Sequence, residues 1–393
     1  VTDDRSQVAG GKRHLTPFSG VLAESGLDRP RERWLDVVNG ITTAEVEHAL
    51  GQPAGRYSLQ RLAVLVSPAA EAYLEEMARQ AHELTLRRFG RTIQLYAPLY
   101  VSNYCVNRCL YCGFNASHKF ARTRLTIDEA AADADVIASE GFRHILLVSG
   151  EDRTGASVEY LEELAGRLRQ KFSSISIEVY PMEQEEYARL FRAGVDGVTL
   201  YQETFDREVY AKYHQSGAKA DYDRRLATLD YVARAGMRKI GIGALLGLAD
   251  WRLETLALGE HAHYLMKNYW RAQVAFSFPR IRPANEVEGR MFEHIPTDAE
   301  MVQMMLALRL CFGDAGLTIS TRERAELRDH LVKLGVTKMS AGSKTSPGGY
   351  SAHTDSTEQF RIDDDRTPAQ VAAMIRERGF EAVWKDWDAA FTR

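Results

Sequence analysis

Cysteine is scarce in this chain. Its 393 residues include four, too few for a disulfide framework, so a reduced cytoplasmic setting is expected. Long apolar runs are missing as well. No stretch reaches the roughly 18 residues that a membrane helix needs. The first twenty residues are polar and hold no apolar signal core, so no secretory leader is expected there. Positive charge is not in excess. The formal net charge is −4 and no long basic run occurs, which argues against nucleic acid as a partner. Low-complexity segments and short-period repeats are absent too. What remains is ordinary globular composition, 45% hydrophobic and 26% charged, enough to bury a large core.

One alternation is regular. From about residue 93, short apolar runs take turns with amphipathic stretches. The strand candidates are IQLYAPLYVS, HILLVSG, SISIEVYP, GVTLYQE, KIGIGALLG, QVAFSFP, LTIST and TKMSA. Between them lie helical patterns such as VEYLEELAGRLRQKF, and Gly141, Gly194, Gly236, Gly316 and Gly335 read as helix ends. Such an alternation predicts a parallel sheet with crossover helices, and eight units predict an α/β fold of the (β/α)8 TIM-type barrel kind. Residues 1–92 read as an N-terminal helical extension, 93–344 as the barrel and 345–393 as a C-terminal cap.

Three of the four cysteines, Cys105, Cys109 and Cys112, fall just after the first strand in a C-x3-C-x2-C pattern. Clustered thiolates bind soft metals. Structural zinc usually takes four ligands, and His118 is the only local fourth candidate. A zinc-stabilised binding protein is therefore one reading. A [4Fe–4S] cluster on three cysteines is the other, and it leaves one iron open to an external ligand. Cys311, in the apolar run MMLALRLCFG, reads as a buried core thiol.

The pattern and its position resemble the radical S-adenosylmethionine (SAM) enzymes. The resemblance implies that the open iron chelates SAM, that Tyr111 lies near the adenine, and that Ser149, Gly150 and Glu151 of SGED receive the SAM amino group. The segments PLYVSNYCVNRCLYCGF, YQETF, GIGALLGL, SFPRIRP, ISTRE, SKTSPGGY and VWKDWD are further similar, in order, to the aromatic amino-acid lyases of that superfamily. The tyrosine-cleaving branch of thiamine biosynthesis is the nearest. That implies cleavage of the Cα–Cβ bond of L-tyrosine to 2-iminoacetate and p-cresol.

The resemblance also distributes roles. Arg322 would bind the substrate carboxylate, with Ser340 and Tyr100 beside the carboxylate or amine. Gln202 and Glu203 would contact SAM, and the glycines of GIGALLGL would admit a cofactor closely. Glu323 is a candidate for the phenolic proton, and a salt bridge from Arg322 to Glu323 or Glu326 is the competing reading of that arginine. His118, Lys119, Arg122 and Arg124 read as a solvated basic loop. A tryptophan lyase of thiopeptide biosynthesis stays open as an alternative. A hydrogenase-maturation tyrosine lyase is disfavoured, because no cysteine follows Cys311. A flavodoxin or ferredoxin reductant and a thiazole synthase partner are implied by the family.

Overall fold

The structure, a computed structural model, describes residues 16–351 and 356–385. The last three residues of VWKDWD and most of the N-terminal twenty lie outside that range. Eight parallel strands close on themselves: β1 (Thr92–Ser102), β2 (His144–Ser149), β3 (Ser174–Glu178), β4 (Val195–Thr199), β5 (Lys239–Gly243), β6 (Gln273–Ser277), β7 (Gly316–Ile319) and β8 (Lys338–Ser340). Each pairs with the next, and β1 pairs with both β8 and β2. Every strand candidate of the sequence is one of these. The chain is a (β/α)8 barrel. A ninth strand, β9 (Glu381–Val383), runs parallel to the start of β1.

Side-chain parity explains the barrel. On β1, Ile93, Leu95, Ala97, Leu99 and Val101 enter the main core against the helices, while Tyr96 and Tyr100 belong to a separate inner cluster with Leu146 and Val148. On β3, Ile175 and Ile177 enter the main core, while Ser176 and Glu178 line the lumen. Alternation along a strand sorts apolar side chains outward and polar ones inward. The helices are bounded by local signals. Capping boxes at Thr126/Glu129 and Thr297/Glu300 open two of them and contribute about 1 kcal/mol each. Gly194 closes another in the left-handed region at φ 118°. Gly316 does not end a helix. It starts β7, where a Cβ would sit 3.1 Å from that of Ala275, so the glycine serves strand packing.

The N-terminal helices pack on one flank of the barrel. A Cβ on Gly259 would meet Leu62 at 2.4 Å, and Gln303 donates to the carbonyls of Leu65 and Ser67. Arg31 forms a buried ion pair with Glu254 at 2.8 Å. At the mouth of the barrel, residues 356–366 run over the β7 and β8 ends. Asp363 and Asp364 donate backbone N–H groups to the Thr321 carbonyl, and Asp364 is ion-paired with Arg328, both fully buried.

Candidate active site

The cysteine loop is strapped to the barrel by its own polar groups. The Asn103 side chain accepts from Thr123 N at 2.6 Å. Arg122 donates to the carbonyls of Asn103, Phe114 and Asn115 at 2.6–2.8 Å. Arg124 forms a two-pronged pair with Asp152, which also accepts from Ser102 Oγ. Arg122 is thus a half-buried loop fastener, contrary to the solvated reading, while Arg124 is exposed as expected and also ties the loop to Asp152. A guanidinium can satisfy several carbonyls at once, and sequence does not say which. Gly150 lets the loop come close, since a Cβ there would lie 2.2 Å from the Tyr104 carbonyl.

Cys105, Cys109 and Cys112 line one cavity with roughly 980 Å3 of empty space, part of it open to solvent. Burial pushes the Cys109 thiol up to about 12 and the Cys112 thiol to about 11. A soft metal centre would draw these protons off as it bound. Among the described residues no group of three His, Cys, Asp or Glu is arranged to hold a single ion. Three thiols on one cavity wall whose lining holds no further Cys or His suit an iron–sulfur cluster with one iron left open. Ser149 Oγ, on the same wall, is buried and has no hydrogen-bond partner, so an incoming donor would find an open acceptor. These residues fit a cluster with a chelated amino-acid cofactor.

Tyr111 lines this chamber, and its hydroxyl donates to His214 Nε2 at 2.8 Å. His214 Nδ1–H in turn donates to the Tyr210 carbonyl at 2.8 Å. Burial, then the nearby Lys219 ammonium, hold His214 down at about 3, so it stays a neutral acceptor. Glu203 is buried with a left-handed φ of 72°, an uncommon conformation for a non-glycine residue. It takes Lys219 Nζ at 2.5 Å and Arg225 at 3.4 Å. Burial pushes its pKa up, but these cations outweigh it and leave the carboxyl below its usual value. Glu151 accepts from Asn107 at 2.7 Å.

A second chamber lies deeper in the lumen. Tyr96, Tyr100, Glu178, Tyr201, Ser277, Thr318, Arg322, Ser340 and Phe360 are among its lining. Glu178, Tyr201, Arg322 and Phe360 line both chambers. Arg322 has no carboxylate partner among the described residues. Its guanidinium stacks on Phe360 at 3.3 Å from the ring centre and donates to the Arg280 carbonyl at 3.4 Å. Glu323 is fully buried against Arg280 and Arg282, and Glu326 lies near Arg324. Neither holds Arg322, and Glu323 lines neither chamber, so it does not serve a phenol. Ser340 Oγ accepts from Thr321 N at 3.1 Å and so fixes the turn that carries Arg322. The Tyr100 hydroxyl donates to Gln359 at 2.7 Å.

Two further sequence expectations miss. Gln202 is turned away from both chambers and donates to the Tyr222 carbonyl at 3.4 Å. Its neighbours Tyr201 and Glu203 line the upper chamber instead, in a segment past the end of β4 where Glu203 is left-handed. The glycines of GIGALLGL admit protein, not a cofactor: a Cβ on Gly241 would meet Thr199 at 2.6 Å, and one on Gly243 would meet Tyr201 at 2.8 Å. Other site residues were not anticipated. Glu178 had a signal, an acid ending an apolar strand on the lumen side. Lys219, Arg225, Gln359 and Phe360 had none, because they arrive from distant loops and helices.

A barrel of this closure with a triple-cysteine loop at its mouth is the architecture of a radical SAM enzyme. The model described as the radical SAM superfamily matches residues 99–258, and that of the biotin and thiamin synthesis associated domain matches 277–381. The 2-iminoacetate synthase of Escherichia coli (strain K12) is 42% identical over 364 residues, covering 92% of this chain and 96% of that protein. Among solved structures, HydG, a maturase of the [FeFe]-hydrogenase, superposes with a TM-score of 0.85 at 28% identity, over 91% of this chain and 81% of that one. HydG from Carboxydothermus hydrogenoformans gives 0.78 at 30% identity, over 93% and 82%. This chain belongs to the 2-iminoacetate synthase family of radical SAM lyases. The family works with a [4Fe–4S] cluster and SAM. Among the described residues no helix is long and apolar enough to cross a membrane.

Proposed function

We propose that the chain cleaves the Cα–Cβ bond of L-tyrosine, giving 2-iminoacetate and p-cresol for thiamine thiazole synthesis. The carrying observation is Arg322, a cation without a carboxylate partner among the described residues, at the junction of two chambers. A guanidinium fork suits a substrate carboxylate. On this reading Cys105, Cys109 and Cys112 hold the cluster. Tyr111, Ser149, Gly150, Glu151 and Glu203 form the SAM side of the upper chamber. Ser340 positions the Arg322 turn, and Tyr100 lies beside the bound amino acid.

When bound, the cluster held by Cys105, Cys109 and Cys112 and SAM would supply the radical chemistry directed at the substrate amino group. The protein's part is to present that one group and to keep water out. Gln359 and Phe360 do the second task. They lie across Tyr100, Gly113 and Arg322 and cover part of the chamber wall. Hydroxyls of Tyr96, Tyr201, Ser277 and Thr318 line the lower chamber, which suits a phenol. Residues 93–344 are then the catalytic barrel, 1–92 its helical support and 345–393 its cap. The reading also implies a cytoplasmic setting, a flavodoxin or ferredoxin as reductant, and a thiazole synthase to receive the unstable imine.

The test is a product assay on the anaerobically reconstituted chain. Tyrosine should yield p-cresol, 5′-deoxyadenosine and glyoxylate from imine hydrolysis. Phenylalanine should give little, since a site that bonds a phenol leaves its partner unpaired with a plain ring. Equal turnover of tryptophan would favour the thiopeptide-type lyase instead.

A further inference from the structure

Three carboxylates line the upper chamber. Two are already engaged: Glu151 by Asn107, and Glu203 by Lys219 and Arg225. The third, Glu178, is the last residue of β3. Its carboxylate has no hydrogen bond or ion pair among the described residues, and it lines the lower chamber as well. It therefore stands at the junction that Arg322 also occupies. Leaving a partly buried carboxylate without a partner costs stability, and such a group in a cleft is a candidate for function.

We propose that Glu178 receives the α-ammonium of the substrate and takes one proton from it, so that the amino group meets the radical as a neutral amine. This rests on the lyase reading above. The argument is one of charge and place. A substrate carboxylate on Arg322 carries its ammonium on the adjoining carbon, beside the only unengaged carboxylate among those lining the chamber. In the step, one N–H bond breaks, its electron pair stays on nitrogen, and the proton passes to a Glu178 oxygen. A cation and an anion become two neutral groups, and no electron changes hands. Hydrogen-atom removal from the resulting –NH2 leaves a neutral nitrogen radical next to the bond that breaks.

The surroundings suit this role. Glu178 is faced by Tyr96 and Tyr100 from β1, Tyr201 and Glu203 after β4, Lys219, Arg225 and Arg322. Burial raises its carboxyl to about 7, with Arg322 pulling it down and Glu203 pushing it up. A base that titrates near working pH is well placed to accept a proton.

The experiment follows p-cresol kcat/KM from about pH 6 to about pH 9 in the parent, Glu178→Gln and Glu178→Asp, with cluster content measured for each. The parent should show an acid limb near pH 7. Glu178→Gln should load its cluster, lose that limb and fall about 100-fold at neutral pH. Its remaining rate should climb as solvent deprotonates the amine. Glu178→Asp should keep a limb, displaced, with a raised KM. If Glu178→Gln fails to load a cluster, the Asp variant decides: an unmoved limb and unchanged KM overturn the proposal. A Glu178→Gln profile matching the parent overturns it too. A parent that cleaves SAM but makes no p-cresol sinks the lyase reading instead.

Discussion

Arg122 and Arg322 are both half-buried cations at the mouth of one barrel, and they are used in opposite ways. Arg122 spends its donors on three loop carbonyls within 2.8 Å. Arg322 keeps a ring beneath it and one long bond to a carbonyl. The regions around them differ likewise. In the cysteine loop, Asn103, Asn107, Asn115, Arg124 and Asp152 all bond to the protein itself. In the lumen, Glu178 and Arg322 face a cavity, and Ser343 Oγ is buried without a partner. Saturated groups hold geometry, whereas open groups wait for a ligand. An open buried group costs stability that the saturated ones do not.

The sharpest way to break this contrast is to remove a thiol. Cys109→Ala should abolish both the cluster and SAM cleavage, while Cys311→Ala, deep in the core, should keep both. Iron and sulfide content after anaerobic reconstitution reads the difference, and the reverse result would sink the ligand assignment.

Next come two arginines of one neighbourhood. Arg328 and Asp364 are fully buried partners; Arg328→Ala leaves Asp364 to Arg366 alone and takes a donor from the Ser340 carbonyl, so it should destabilise the fold by about 1–3 kcal/mol. Arg322→Ala should leave thermal stability near the parent's and cost about 2–5 kcal/mol of tyrosine binding, two to three decades at mid-range. Thermal melts and a tyrosine titration separate the two. An Arg322→Ala variant with normal tyrosine affinity would return that residue to scaffolding.

A smaller effect sharpens the cost of open groups. Glu178 has its folded pKa raised from 4.5 to about 7. For an acid this sign means the penalty is absent below the unfolded value, grows between the two, and is complete above about 7. Glu178→Gln should therefore melt higher than the parent at alkaline pH, by on the order of 1–3 kcal/mol, and match it in acid. A variant no more stable than the parent above pH 8 would show that the site already solvates the charge.

The smallest change expected is at Gln202. Its buried side chain makes one long bond away from the chambers, so Gln202→Ala should cost about 1 kcal/mol of stability and leave the KM for SAM unaltered. A marked rise in that KM would put Gln202 back in the site.

The eight strands and the cysteine loop were legible because both are local. Strand parity and a three-thiol spacing live within a dozen residues, and no distant partner is needed to read them. Arg322 and Ser340 were singled out by resemblance to the family's motifs, with a strand-end position adding to the reading of Arg322. Other features depended on contacts the chain makes across long separations. Glu323 sits next to Arg322 in sequence but is held by Arg280 and Arg282. Tyr100 meets Gln359 from the far end of the chain. Whether a charged residue is engaged or left open is set by what the fold brings beside it. Composition and periodicity determined the barrel and its cysteines. Only the tertiary structure decided that Arg122 is a fastener, that Gln202 faces outward, and that Glu178 stands open, because burial and pairing are properties of neighbours in space.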